Sequence, residues 1–155
     1  MAEPIYTTAL MRLAASIPHD ERLPAPDASS ERRSVVCGGR VTVDVALDAD
    51  GCVSALGLEV RACAFGQASS SLMASHAIGR SGAELAAARD ALADYLAGRC
   101  DDPGDWPGLD VFAPARAHIS RHAAIMLAFD AAAEAARLAS TSRDLSPGDG
   151  LASAA

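Results

Sequence analysis

The sequence predicts an α+β fold: a small antiparallel β-sheet with helices packed on one face and its chemistry at one sheet end. Three observations predict it. A strand–turn–strand pattern folds about Asp50-Gly51. Apolar residues recur at helical spacing before and after that pattern. The hairpin so formed carries a cysteine at each of its open ends.

Residues 5–17 carry Ile5, Leu10, Leu13 and Ile17 on roughly one helical face, and Pro18 limits that helix. Residues 23–30 (LPAPDASS) read as a linker, and residues 31–36 as a short edge strand. The hairpin follows. Asp50-Gly51 is a strong signal for a two-residue type I′ turn, which needs φ > 0 at both positions. Folding there pairs Val45 with Leu56, Val43 with Leu58 and Val41 with Val60, so apolar residues meet on one face. The same register sets Cys37 opposite Ala64 and Gly38 opposite Cys63, bringing two thiols to one end of the sheet. Arg40 falls opposite Arg61, which predicts a splay or bulge at that end. Asp44 points off the apolar face and reads as a solvated strand residue.

Residues 67–78 are expected to be helical, ending at Gly79. Ser81 to Glu84 is a capping-box pattern that opens a helix to about Leu96, with Leu85, Leu92, Tyr95 and Leu96 inward. Residues 99–108 form a loop rich in Pro, Gly and Asp. Ser120 is placed to cap a last helix over 121–139, with Ile125, Met126, Phe129 and Ala133 facing in. The expectation is one domain over residues 1–139 and a disordered tail over 140–155, which lacks core residues.

At 155 residues the chain suits a single modest core, and 4% aromatic content makes that core thin and aliphatic. A formal charge of −7 argues against nucleic acid or an anionic membrane as partner. No apolar run approaches the roughly 20 residues of a membrane span. No secretory signal pattern opens the sequence, so the expected compartment is the cytoplasm, where thiols stay reduced. Four cysteines there point to metal chemistry or inert burial before disulfides.

Cys37 precedes Gly38-Gly39, where backbone can turn tightly or approach a ligand closely. Cys63 lies a few residues before a helix start and near Arg61, a setting that favours thiolate over thiol. Thiolate binds soft metals and attacks sulfur. Two readings stand for this pair: half of a tetrahedral site, or two small buried hydrophobes. His122, in the first turn of the last helix, is the best remaining ligand candidate, and an ordinary helix-end histidine is its alternative. Cys52 belongs to the turn end of the hairpin, roughly 30 Å of strand away from Cys63, and cannot join them. Cys100 and the other histidines have no comparable setting.

These residues resemble the iron–sulfur cluster scaffold family of IscU, SufU and NifU N-terminal proteins. Its first motif, Cys-Gly-Asp, is matched by Cys37-Gly38-Gly39, with glycine in place of the aspartate. Its second, a cysteine shortly before a serine-rich helix start, is matched from Cys63 to Ser71 and is the most specific. Its third, a basic or histidine residue before a cysteine at a helix start, falls at Arg121-His122-Ala123, where histidine takes the cysteine's place. Tyr6 and the proline-containing approach to Cys37 also fit, and the segment between Cys63 and His122 is more like the SufU branch. The resemblance covers roughly residues 5–139 and implies the same α+β architecture. It implies Cys37, Cys63 and His122 as ligands of iron, a nascent 2Fe–2S cluster or zinc. The implied role is a cluster scaffold served by a cysteine desulfurase and emptied by recipient iron–sulfur proteins. The alternatives are a zinc-containing sulfur-transfer partner of the desulfurase, with Cys37 as persulfide acceptor, and an interaction module that binds no metal.

Overall fold

A computed structural model describes residues 5–36 and 38–144. The chain runs α1 (Thr8–Ala15), β1 (Ala28–Arg33), β2 (Arg40–Leu47), β3 (Val53–Arg61), α2 (Ala64–His76), α3 (Gly82–Leu96), two 3-10 segments (Leu109–Ala115 and Ile119–Arg121) and α4 (His122–Asp144). The strands make one antiparallel sheet in the order β1-β2-β3. α4 lies across β1 and β2, and α2 and α3 pack on α4. The predicted fold class is therefore the observed one.

The β2–β3 register is as expected, with Val41, Val43 and Val45 opposite Val60, Leu58 and Leu56. The turn that makes it is different. Gly51 alone takes positive φ, at +83°, and Asp50 does not. Gly51 N–H donates to Asp48 O at 3.0 Å and Asp48 N–H to Cys52 O at 2.8 Å. The Asp48 carboxylate accepts from the N–H groups of Asp50 and Cys52. This is a three-residue loop ending in a left-handed glycine rather than a type I′ turn. It would slip the register by one residue, but a bulge between Ala46 and Leu47 on one strand and around Ser54 on the other restores it.

Arg40 does sit opposite Arg61, yet the pairing continues to that point without a break. Glu59 explains why: it lies 3.3 Å from Arg40 and 3.7 Å from Arg61, while Glu31 approaches Arg40 from β1. Carboxylates on flanking positions offset the like-charge pair.

β1 begins at Ala28, so the last three residues of the segment read as a linker are strand. The chain from His19 to Asp27, which includes the rest of that segment, crosses the sheet face opposite the helices. Leu58 N–H on the free edge of β3 donates to the carbonyls of His19 and Glu21, and Asp27 pairs with Val45 and Leu47 on β2. Asp44 is corrected accordingly: it is fully buried, not solvated. Arg22 grips it with two bonds of 2.7 and 3.0 Å, Leu23 N–H donates at 2.9 Å, and the Ser29 hydroxyl donates as well. The crossing chain passes so close that a Cβ on Gly57 would stand 2.5 Å from Glu21 O and 2.7 Å from Leu23 N. Both are backbone atoms that cannot swing aside. Gly57→Ala is therefore expected to destabilise by about 1–3 kcal/mol, read as a lower urea midpoint at unchanged slope.

The helices bury the faces expected of them. Leu85, Leu92, Tyr95 and Leu96 are buried on α3, and the Ser81–Glu84 capping box is complete. Ile125, Phe129 and Ala133 are buried on α4, together with a row of alanines that lets it approach the sheet and α2 closely; Met126 is only partly buried. Ser120 lies not at a helix cap but in the 3-10 turn Ile119–Arg121, which runs directly into α4. α4 continues to Asp144, so the segment expected to be a disordered tail begins as helix. There Arg143 donates to Asp48 O at 2.6 Å. Residues 145–155 lie outside the described residues. No helix among the described residues is long and apolar enough to cross a membrane.

Candidate functional site

Two of the expected donors, Cys63 and His122, stand at the starts of helices α2 and α4. β2 starts at Arg40 and β3 ends at Arg61, and these two are paired. Cys63 follows two residues after β3 and is the N-cap of α2. Its side chain makes no capping hydrogen bond, so the thiol is not engaged by the helix it caps. It is partly buried and unlinked. Cys37 lies outside the described residues. On either side of it, Ser34 N–H donates to Gly39 O at 2.9 Å and Gly38 N–H to Ser34 O at 2.8 Å. Gly38 takes φ +70°, which favours glycine there. Val35 and Val36 are exposed beside this turn.

His122 is the first residue of α4. The starts of α2 and α4 are tied together. The buried Ser69 hydroxyl donates to Ile125 O. A Cβ on Gly66 would stand 3.4 Å from Ala124 O, so the two backbones run close at this point. Arg121 lies 5.9 Å from the ring centroids of both Tyr6 and Phe65, which are 5.2 Å from each other. This cluster joins the chain before α1 to the first turn of α2 and the start of α4. Ser69→Ala is expected to cost about 1 kcal/mol, the net worth of one buried hydrogen bond, in chemical denaturation.

The His122 ring is oriented by backbone. Its Nε2 lies 3.0 Å from Ala115 O and 3.0 Å from Arg116 O. Both are acceptors, so Nε2 is the donor, and Nδ1 has no hydrogen-bond partner among the described residues. An uncommitted thiol and an imidazole held through one nitrogen suit zinc or iron, which take sulfur and nitrogen ligands. Among the described residues alone, no three His, Cys, Asp or Glu side chains stand close enough to hold a metal ion. The third expected donor, Cys37, is not among them.

The remaining candidates are elsewhere. Cys52 bridges to Ser81 at the turn end of the hairpin, and burial with Asp48, Asp50 and Glu84 nearby pushes its thiol pKa up, away from the reactive form. Cys100 is exposed in the loop after α3. His76 packs edge-on against Trp106, and His118 is exposed. The Ala115 and Arg116 carbonyls are the contacts that sequence reasoning did not find, because backbone acceptors carry no residue-type signal.

The chain is similar to the N-terminal part of a nitrogen-fixing NifU-like protein from Brucella abortus. The two share 38% identity and a TM-score of 0.83, over 88% of this chain and 95% of that one. It is also similar in fold to FiSufU from the thermophile Fervidobacterium islandicum AW-1, a scaffold candidate for iron–sulfur cluster assembly in the SUF system. There the TM-score is 0.79 at 19% identity, over 85% of this chain and 96% of that one. No protein-family profile and no curated protein matches the chain.

Proposed function

This chain belongs to the IscU/SufU/NifU N-terminal family of iron–sulfur scaffold proteins, and from that premise we propose that it carries a nascent iron–sulfur cluster and passes it on. The cluster is cargo rather than a resident cofactor. Cys37, Cys63 and His122 hold it, sulfur comes from a cysteine desulfurase, and recipient iron–sulfur proteins take the product. The work is done in the reducing cytoplasm, where the thiols stay free.

The observation that carries this reading is the pairing of two helix starts. One presents a thiol free of any capping bond, and the other an imidazole fixed through one nitrogen. Two sulfur donors and one nitrogen suit a 2Fe–2S cluster, because histidine replaces cysteine on iron in Rieske centres. Position 39, where the family has aspartate, is glycine and offers no side-chain oxygen. The fourth place is thus left to water, an added thiol or a partner residue, which suits a cluster that must leave.

Transfer tests the proposal. Protein loaded anaerobically with iron and sulfide is mixed with an apo-ferredoxin, and the two are separated and analysed. Iron and sulfide are expected to move together to the ferredoxin. A chain that retains only zinc while accelerating the desulfurase would replace the scaffold reading with sulfur transfer.

A further inference from the structure

We propose that the 3-10 segment Leu109–Ala115 and the residue after it select the nitrogen that His122 offers: Nε2 is held as a donor, His122 ligates through Nδ1, and Arg116 is the positioning residue. The ligand role rests on the scaffold reading; the choice of nitrogen does not.

The geometry is restrictive. Ala115 O and Arg116 O each lie 3.0 Å from Nε2. A carbonyl cannot donate, so Nε2 carries a hydrogen and has no lone pair for a metal. Only Nδ1 remains. Turning the ring to present Nε2 would leave both carbonyls without this donor. Donation to backbone carbonyl is also the arrangement that orients metal-binding histidines generally.

The two carbonyls stay in place because their segment is anchored at both levels. Leu109, Phe112 and Ala115 are buried in the core. Arg116 then reaches to the end of α3. Its Nε donates to Tyr95 O at 2.7 Å, and one terminal nitrogen donates to Cys100 O at 3.0 Å and lies 3.3 Å from the Asp101 carboxylate. Its guanidinium carbon lies 4.4 Å from the Tyr95 ring centroid. Arg116 therefore supplies one of the two acceptors and fixes the backbone that carries the other. A lysine cannot reproduce this fork.

The test uses metal-free, histidine-15N-labelled full-length protein in mildly alkaline buffer. Ring proton–nitrogen correlation spectra are assigned to His122 by comparison with His122→Gln. Wild type is expected to show Nε2 as N–H and Nδ1 bare, with none of the averaging a free imidazole shows. Arg116→Met keeps the stem but loses the fork, and should shift the tautomer ratio at least about fivefold toward Nδ1–H, the scale of one net hydrogen bond. An averaged or Nδ1–H spectrum in wild type overturns the choice of nitrogen, and that result stands even where Arg116→Met fails to fold. A folded Arg116→Met with the wild-type ratio overturns the positioning role. In cluster-loaded, reduced protein, the stronger nitrogen coupling should come from Nδ1; coupling from Nε2 overturns the proposal. No coupling beside the expected metal-free spectrum removes His122 from the ligand set instead.

Discussion

Asp44→Ala is expected to destabilise the protein by about 2–3 kcal/mol. Removing one member of a buried ion pair commonly costs about 3–5 kcal/mol. Here Asp44 is fully buried but the Arg22 side chain is 48% exposed, so the stranded guanidinium recovers water and the cost falls below that range. Leu23 N–H and the Ser29 hydroxyl lose their acceptor too. The melting temperature should drop by roughly 5–10 °C in a chain of this size. The pH dependence follows from the same contacts. Burial pushes the Asp44 carboxyl pKa up, but the bonds from Arg22, Ser29 and Leu23 outweigh it and hold the carboxyl below the ordinary aspartate range. A depressed folded pKa gives stability that is fully present above the unfolded value and lost as pH falls through the folded one. Wild type should therefore lose stability on acidification below the ordinary aspartate range. Asp44→Asn, which does not titrate, should start lower and show a flatter acid limb. Parallel acid limbs in urea titrations would show that Asp44 is not the group responsible.

His122→Ala is expected to lower retained iron and sulfide by more than about tenfold, while His122→Cys retains a cluster with an altered absorption spectrum. Loss of even an outer hydrogen-bond partner of a metal ligand commonly costs about 10- to 100-fold in affinity, and the ligand itself is worth more. The cysteine variant supplies sulfur where the resembled family has it, and an all-sulfur donor set lowers the potential relative to a histidine-containing one. Stability should change by only about 1 kcal/mol in His122→Ala, because what is lost is hydrogen bonding at a partly buried ring. Full occupancy with an unchanged spectrum in His122→Ala would remove this residue from the site.

Much of this was legible in the residues, for identifiable reasons. Alternation across Val41–Val45 and Leu56–Val60 determines the hairpin register, and the apolar spacing of α3 and α4 determines their buried faces. The turn type was not legible, because the Asp48 side chain caps a longer loop and a bulge cancels the slip. The burial of Asp44 is hidden from the sequence for a related reason. Alternation places it off the helical face, but only the folded chain shows that Arg22 and Leu23 return to cover the other face. At the site, His122 is legible as a first-turn residue, whereas α2 begins at Ala64, three residues before the expected start, which makes Cys63 its N-cap. The clasp between their helices depends on Ser69 meeting a backbone carbonyl 56 residues away, and no local pattern encodes that.

The most direct measurement is the iron and acid-labile sulfide content of the chain after anaerobic reconstitution, wild type beside Cys63→Ser. Serine keeps the size of the side chain and can cap α2, so the fold is preserved while the soft donor is removed. Wild type is expected to hold iron and sulfide in equal amounts with charge-transfer absorption, and Cys63→Ser to hold neither after desalting. Equal iron and sulfide in both proteins, or neither in wild type, would contradict a cluster held at the start of α2.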